Sequence, residues 1–276
     1  PCTERHCFSC TLAYRRPPQW WRHFGLLEAA IRHIDVFVAP TQFSKRMHQQ
    51  LGLKAPIVHL PLFVPHGAVE DPVPGRLSDE LRDFPRQPYF LFVGRLEKLK
   101  GLQTLIPIFR RYQKAQLWVA GEGAYEPYLR RLAAGSDNIR FLGRRTGNDL
   151  QALYREARAV IVPSICFEVF SLVVIEAFRH QTPVIVRNIG GMPEIVQEAG
   201  GGYVYDNDDE LLSAMDQVLH QPSHRRNLGL NGYAAYLEKW TADAHLKSYF
   251  ALIGQIAAAR SEFSVERQAL LSSGVS

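Results

Sequence analysis

The sequence predicts an α/β protein with a doubly wound parallel sheet, joined to an incomplete second domain. From Tyr89 onward, short β-rich runs alternate with helical patterns, which is typical of a parallel sheet covered by helices on both faces. The runs are apolar at consecutive positions, as expected of strands buried on two faces. Six such runs occur, at residues 89–93, 116–120, 139–142, 159–162, 183–186 and, more weakly, 202–205.

Helical periodicity fills the intervals between these runs and continues after the last one. This periodicity predicts helices at residues 102–112, 124–134, 148–157, 170–180 and 193–199. Three consecutive helices are expected after the sheet, at residues 209–220, 224–239 and 242–260. Residues 261–276 have no firm pattern and are expected to fray.

The first part of the chain predicts only a small piece of structure. Two helices (20–33 and 43–51) and two strands (35–39 and 57–60) precede a Pro-rich stretch at 61–88, which is typical of a linker. Two strands cannot sustain a sheet by themselves, so this part must pack against something else. The sequence therefore divides into residues 1–75, 76–240 and 241–276.

Composition narrows the class of partner. The chain has 276 residues, 46% of them hydrophobic, which is ordinary for a globular protein. Its formal charge of +5 favours anionic partners, but no long basic block and no common nucleic-acid-binding signature occurs, so nucleic acid is not expected as a partner. No apolar run is long enough to cross a bilayer and no secretory signal is visible, which favours a cytoplasmic location.

Two N-terminal features each leave two interpretations open. Cys2, Cys7 and Cys10 crowd the N-terminus, and they are either part of a metal site with an unidentified fourth ligand, such as His6, or ordinary reduced thiols like the isolated Cys166. Because the ligand set is incomplete, no metal is predicted.

The second feature is the aromatic and basic stretch at residues 14–24. It suits peripheral contact with the inner face of a membrane, but packing of Trp20, Trp21 and Phe24 within the N-terminal segment is the favoured interpretation.

The strongest chemical signal is a pair of acids, Glu168 and Glu176, separated by seven residues. Glu168 follows a predicted strand and precedes a helix, where unpaired backbone N–H groups and the helix dipole can hold a diphosphate or a sugar hydroxyl. Glu176 lies among apolar residues of that helix, and two vicinal ribose hydroxyls would satisfy its carboxylate. The alternatives are a helix-capping role for Glu168 and a solvent-facing position for Glu176.

A second signal follows the first strand of the large sheet. Gly94 permits a tight turn, and Arg95 and Lys100 bring two positive charges to the mouth of the sheet, which suits a pyrophosphate. Fixed cations would stabilise a departing nucleoside diphosphate without a metal. A solvated basic loop is the alternative. The loops at 120–124 and 189–195 also allow close backbone approach, although each is equally an ordinary turn.

In order, these segments resemble the C-terminal donor domain of family 4 retaining glycosyltransferases, which have the GT-B architecture with its Rossmann-like halves. The resemblance covers about residues 88–200. Its motifs are Gly94-Arg95 with Lys100-Gly101, Gly121-Glu122-Gly123, Phe141-Leu142-Gly143, Pro163-Ser164 followed by Glu168-x7-Glu176-Ala177, and Pro183-Val184-Ile185 with Gly190-Gly191-Met192-Pro193-Glu194.

The resemblance implies a role for each matching residue. Arg95 and Lys100 would bind the donor diphosphate, Glu168 would contact the transferred sugar, and Glu176 would bind ribose. The segment from Phe141 to Arg144 would meet the base. Further substrate contacts are implied for Gly94, Gly121, Glu122, Gly143, Phe170, Ser171 and Leu172, with Ser171 standing where the family often has Gly.

The same resemblance implies the activity and its limits. The expected activity is transfer of a sugar from a UDP-sugar or GDP-sugar to a glycan, lipid or small-molecule acceptor, with retained configuration and no metal. Residues 1–64 resemble only the end of the acceptor-side domain, whose Gly-rich loop and His have no counterpart in the sequence. A binding module without transfer activity is therefore the main alternative, and a sugar-nucleotide epimerase of similar architecture is a weaker one.

Overall fold

The computed structural model describes residues 26–65 and 87–273. Its first part, residues 26–65, contains the elements α1 (Leu26–Ile31), β1 (Phe37–Ala39), α2 (Gln42–Gln50) and β2 (Ile57–His59). The two strands pair in parallel, and Val38 lies opposite Val58. Both valines are exposed, by 46% and 36%, so nothing in the described part of the chain covers that face of the small sheet.

The remainder of the described chain alternates strands with helices. The elements are β3 (Tyr89–Val93), a 3-10 turn (Lys98–Lys100), α3 (Leu102–Arg111), β4 (Gln116–Ala120), α4 (Glu126–Leu132), β5 (Ile139–Gly143), α5 (Gly147–Glu156), β6 (Val160–Val162), α6 (Leu172–Arg179), β7 (Val184–Arg187), α7 (Met192–Ala199), β8 (Gly202–Tyr205), α8 (Asp208–His220), α9 (Pro222–Lys239) and α10 (Ala242–Ser273).

Six strands form one parallel sheet in the order β5-β4-β3-β6-β7-β8. The chain moves outward from β3 through β4 to β5, then returns to the other side of β3 with β6. The loops after β3 and β6 therefore leave in opposite directions. Such a switch point opens a crevice at the carboxyl ends of the strands, where ligands bind in open α/β sheets.

Burial on both faces of this sheet explains the apolar runs in the sequence. Alternate residues of β3 enter different cores: Leu91 packs in one apolar cluster, while Phe90 and Phe92 pack in the other. Leu91 and Phe90 are fully buried. The predicted doubly wound parallel sheet is confirmed, and its six strands occur within about one residue of their predicted ends.

Two predictions differ from the structure. The helix expected at 170–180 begins at Leu172, because residues 163–171 form a longer loop than the sequence suggested. The tail prediction was wrong, since α10 continues through residues 261–273 as helix. The predicted linker and the first part of the helix at 20–33 lie mostly outside the described residues, as does the boundary near residue 75.

The first part of the chain packs against the C-terminal helices. Arg260 of α10 binds both carboxylate oxygens of Asp35, with N–O distances of 2.9 and 2.8 Å. The ring nitrogen Nδ1 of His245 lies 2.7 Å from the carbonyl oxygen of Pro61. These contacts supply support that a two-stranded sheet lacks alone.

Candidate functional site

Lys100 and Glu168 meet at the switch point of the sheet. Lys100 ends the 3-10 turn after β3, and Glu168 lies in the loop after β6; their Nζ and Oε1 atoms are 2.6 Å apart. The Ser164 hydroxyl donates a hydrogen bond to the same Oε1 at 2.8 Å. The two charged side chains are 29% and 16% exposed, so the pair is shielded but still reachable from solvent.

Backbone contacts fix the separation of the two loops that carry this pair. The amide of Ile165 donates to the carbonyl of Leu99 at 2.9 Å. Gly101 has a left-handed φ of 76°, and a Cβ there would overlap the carbonyl oxygen of Pro163. Glycine at this position is therefore a requirement of both backbone conformation and loop packing.

Arg95 lies at the same edge but has a different partner. It pairs with Glu97 at 2.8 Å, and its side chain is 74% exposed. The structure thus brings Lys100 and Glu168 into contact, as the sequence predicted, and leaves Arg95 exposed and paired with Glu97 instead. No contact joins Arg95 to Glu168 within the described residues.

Glu176 has a protein partner that the sequence did not reveal. The phenol of Tyr154 on α5 donates to Glu176 Oε2 at 2.7 Å, and Tyr154 is 1% exposed. Burial, and then the nearby Glu176 carboxylate, raises the pKa of Tyr154 well above its usual value. Glu176 itself is half-buried, so its alternative assignment as a solvent-facing residue was wrong. The phenol fixes the orientation of the carboxylate.

The predicted glycine positions lie side by side at the carboxyl ends of β3, β4 and β5. The amide of Gly94 donates to the carbonyl of Ala120 at 3.1 Å, and that of Gly121 to the carbonyl of Gly143 at 2.8 Å. Glu122 Oε1 accepts a longer bond from the amide of exposed Arg144 at 3.3 Å. The predicted positions 94, 121, 122, 143 and 144 therefore lie together at one edge of the sheet.

The start of α6 borders the same crevice. Ser171 is the N-cap residue and is buried, but its side chain makes no capping hydrogen bond to the helix. Phe170 packs against the core, whereas Leu172 is 46% exposed. The capping alternative for Glu168 was wrong, because its carboxylate binds Lys100 and Ser164 instead of the first turn of α6.

Sequence reasoning missed three partners of the predicted site: Ser164, Tyr154 and Glu97. Ser164 carried a usable signal, since it lies two residues after the end of β6 and belongs to the Pro163-Ser164 motif. Tyr154 carried none, because its contact with Glu176 depends on α5 and α6 lying side by side.

The other sites that the sequence suggested involve metal ligands, cysteines and aromatic residues. No group of three or more His, Cys, Asp or Glu residues that could hold a metal ion occurs in residues 26–65 and 87–273. The three N-terminal cysteines and the aromatic stretch at 14–24 lie outside those ranges. Burial, and then Glu168, raises the pKa of the Cys166 thiol.

Two cavities lie away from the crevice. One, of about 570 Å³, lies between α3 and α8 and includes Tyr112 and Asp216 in its wall. The other, of about 320 Å³, is lined by Arg158 and Arg225 among others. Neither includes a residue of the predicted donor site.

Comparison with known proteins identifies the family. The sequence profile described as "Glycosyl transferases group 1" matches residues 76–235, more than half of the chain. The chain belongs to the group 1 glycosyl transferases. The matched range contains the Lys100–Glu168 pair, Glu176 and every predicted glycine position, so the residues at the switch point are those of a group 1 glycosyl transferase domain.

Relatives of this group 1 glycosyl transferase include several named glycosyltransferases. An uncharacterized glycosyltransferase of Methanocaldococcus jannaschii is 35% identical over 55% of this chain and 41% of its own length. A D-inositol 3-phosphate glycosyltransferase of Salinispora tropica is 31% identical over 64% of the chain and 40% of its own. The chain thus spans less than half of these relatives.

Solved structures share the fold. Sucrose-phosphate synthase from Thermosynechococcus elongatus has a TM-score of 0.72 at 22% identity, over 90% of this chain and 66% of that one. Anabaena HepE, solved in complex with UDP, has a TM-score of 0.74 at 18% identity, over 89% and 74% of the two chains. These neighbours support the predicted GT-B type of architecture. Within the described residues, no helix is both long and apolar enough to cross a membrane.

Proposed function

We propose that this chain is the donor-binding half of a retaining glycosyltransferase, and that it holds a UDP-sugar or GDP-sugar without a metal at the carboxyl edge of its large sheet. The observation that carries the proposal is the contact between Lys100 and Glu168 at the switch point. A lysine can bind the diphosphate of the donor, and a carboxylate beside it can accept a hydrogen bond from a sugar hydroxyl.

The remaining residues take the roles that the family resemblance implies. Glu176, oriented by Tyr154, would accept hydrogen bonds from the ribose. Gly143 ends β5, the outermost strand on that side of the sheet, and with Arg144 it would border the base. The amides at Phe170–Leu172 begin a helix, whose positive dipole end favours the diphosphate. Arg95 is exposed and would move from Glu97 onto the same phosphates.

The comparisons support this chemistry without assigning the sugar. One relative is named a GDP-mannose-dependent mannosyltransferase acting on a phosphatidylinositol monomannoside in Corynebacterium glutamicum, and it is 29% identical over 75% of this chain and 59% of its own length. HepE was solved with UDP. Both names are compatible with a nucleoside diphosphate donor, and the acceptor is proposed to be a glycan, a lipid or a small molecule.

Calorimetric titration of the chain with UDP and with GDP tests the proposal. We expect saturable binding of one of them in the presence of a chelator. Lys100→Met should weaken binding about tenfold or more, because it removes a charge-assisted contact to phosphate. Lys114→Met is the matched control, since Lys114 pairs with Asp216 away from the crevice.

Two results would contradict the assignment. Absence of binding by either nucleotide would remove the donor role altogether. Equal affinity of Lys100→Met and Lys114→Met would show that nucleotide binds elsewhere. Binding that disappears with the chelator would refute only the metal-free part of the proposal.

The alternative function is donor binding without transfer. Val38 and Val58 are exposed on one face of the small sheet, and nothing in residues 26–65 and 87–273 covers that face. The chain also spans less than half the length of the two relatives compared above. Incubating the 276-residue chain with donors and a panel of acceptors separates the two functions. Measurable transfer would exclude the binding-only role.

Cytoplasmic location and peripheral membrane contact form the last part of the proposal. The proposed location rests on the lack of a long apolar run or a visible secretory signal in this sequence. The proposed membrane contact rests on the aromatic and basic residues at 14–24. Sedimentation with anionic and neutral vesicles tests the contact: binding to anionic vesicles alone is expected, and equal recovery in the supernatant with both would contradict it.

A further inference from the structure

The first turn of α2 is capped by a carboxylate from a distant part of the chain. Glu194 Oε1 accepts a hydrogen bond from the Gln42 amide at 2.6 Å, and Oε2 accepts one from the Phe43 amide at 2.9 Å. The Thr41 hydroxyl accepts from the Ser44 amide at 3.1 Å. A helix begins with four amides that lack intrahelical partners, so this arrangement satisfies three of the four.

Glu194 caps α2 although it lies at the start of a helix of its own. Glu194 lies in the first turn of its own helix, α7, where an acidic side chain would favour the local dipole. Both of its oxygens instead bind α2, which has no acidic residue in its first turn. The carboxylate is 22% exposed, and Arg46 approaches it at 3.8 Å. The capping charge of α2 is thus supplied by another helix, α7.

The same turn of α2 touches the loop that carries Glu168. The Thr41 hydroxyl donates to the carbonyl of Val169 at 2.9 Å, and the rings of Phe43 and Phe167 lie 5.5 Å apart between centroids. The first part of the chain therefore rests on the two neighbours of Glu168 in the sequence.

Gly191, which precedes α7, allows Thr41 and Val169 to approach the start of that helix closely. Its amide donates to the carbonyl of Glu168 at 2.7 Å. A Cβ at Gly191 would lie 2.6 Å from the Val169 oxygen and 2.9 Å from the Thr41 methyl group. Three chain segments meet within van der Waals distance, and Glu194 is the charged group that joins two of them.

We propose that Glu194 is a positioning residue. It holds the start of α2 against the loop at residues 163–171, so that a structural change in either one is transmitted to the other. The proposal rests on the donor site proposed above. A nucleotide that draws Lys100 away from Glu168 acts on the loop at residues 163–171. Thr41 and Phe43 contact that loop. The change therefore reaches α2 only while Glu194 holds the first turn of α2 in place.

Amide hydrogen exchange of the full chain, followed residue by residue by NMR, tests the contact without any nucleotide. We expect exchange at Gln42 and Phe43 to be about tenfold faster or more in Glu194→Ala, and intermediate in Glu194→Gln, which keeps one carbonyl acceptor. Glu198→Gln is the control, since Glu198 lies one turn later on α7 and pairs with Lys239. Unchanged exchange in Glu194→Ala would overturn the proposal.

Repeating the measurement with saturating UDP or GDP tests the coupling. In the wild-type chain and in Glu198→Gln, nucleotide is expected to change exchange at Gln42 and Phe43. In Glu194→Ala the change should disappear, and in Glu194→Gln it should be reduced, while the nucleotide affinity stays within about twofold because both Glu194 carboxylate oxygens bind α2 amides. A change of wild-type size in Glu194→Ala would overturn the positioning role.

The two arms also separate this proposal from the one on which it rests. If neither nucleotide binds the wild-type chain, the donor function fails and the coupling role falls with it, whatever the exchange data show. If nucleotide binds but exchange at Gln42 and Phe43 does not respond, the donor function stands and the role of Glu194 alone is refuted. Far-UV circular dichroism of Glu194→Gln checks that the conservative variant is folded.

Discussion

Replacing Gly101 by alanine is expected to separate the loops that hold Lys100 and Glu168. Gly101 follows Lys100 directly, has a φ of 76°, and leaves no room for a Cβ against the Pro163 carbonyl. Gly135 offers a matched control, because it has the same φ of 76° and nothing lies within 4 Å of its Cβ position. The two alanine variants share the backbone cost and differ in the clash.

The structure gives a magnitude for each term. A left-handed backbone costs a non-glycine residue about 1–2 kcal/mol, which applies to both variants. The clash at Gly101 requires the Pro163 loop to move, and overpacking of this kind costs about 1–3 kcal/mol more. A domain of this size loses about 2–4 °C in Tm per kcal/mol, so Gly101→Ala should melt about 2–12 °C below Gly135→Ala.

Thermal denaturation with and without nucleotide measures both stability and the site. Saturation at a hundred times the dissociation constant stabilises the folded state by about 2.7 kcal/mol. Gly135→Ala should keep the full nucleotide-induced rise in Tm. In Gly101→Ala the nucleotide-induced rise in Tm should be smaller, because the added methyl group pushes the Pro163 loop, with Ser164 and Glu168, away from Lys100.

Two outcomes would refute this reasoning. Equal Tm values for the two alanine variants would mean that the Pro163 loop yields without cost, and that the loop contact does not fix the site. A full nucleotide-induced rise in Gly101→Ala would mean that the Lys100–Glu168 separation is irrelevant to nucleotide binding.

Tyr154→Phe removes the phenol that orients Glu176, so nucleotide affinity measured by calorimetry should fall about three- to tenfold. Tyr112→Phe, which loses a bond to Asp216 elsewhere, should retain it, and equal losses would contradict the assignment. Burial, and then neighbouring arginines, lowers the pKa of His180 to about 4, so the unfolded chain binds a proton that the folded chain excludes as the pH falls from 6.5 to 4. Stability should drop by up to about 3 kcal/mol across that window, and His180→Gln should flatten the drop in denaturant titrations; an unchanged slope would exclude His180 as its cause. Gly191→Ala has no backbone cost at a φ of −88° but crowds Val169, so Tm should fall by several degrees and exchange at the start of α2 should rise, whereas a wild-type Tm would show that the junction is loose.

Much of the large sheet could be predicted because burial on two faces imposes a local pattern. Phe90 and Leu91 point to opposite cores and are both apolar, so the strand is visible from its own residues. The convergence of Lys100 and Glu168 followed from a general rule about the carboxyl edge of parallel sheets. Neither inference needed knowledge of which helices touch.

The remaining features depend on contacts between elements. Tyr154 reaches Glu176 only because α5 and α6 are neighbours, and Glu194 reaches Gln42 across 152 positions of sequence. Arg95 pairs with Glu97, which is only two residues away in the sequence. The pattern of charges in the sequence does not show whether Arg95 pairs with Glu97 or with Glu168. The extent of α10 was underestimated because the helix-favouring residues after Arg260 lack a clear apolar stripe.

The short bond between Lys100 and Glu168 lets the two side chains compensate each other's charge. If the proposed donor site holds, a diphosphate would compete for the ammonium, and the released carboxylate would need a hydrogen-bond donor beyond the Ser164 hydroxyl. A nucleoside diphosphate without its sugar would supply no hydroxyl group at that point, whereas an intact sugar donor would. The pair would then favour the sugar-bearing nucleotide over the free nucleoside diphosphate.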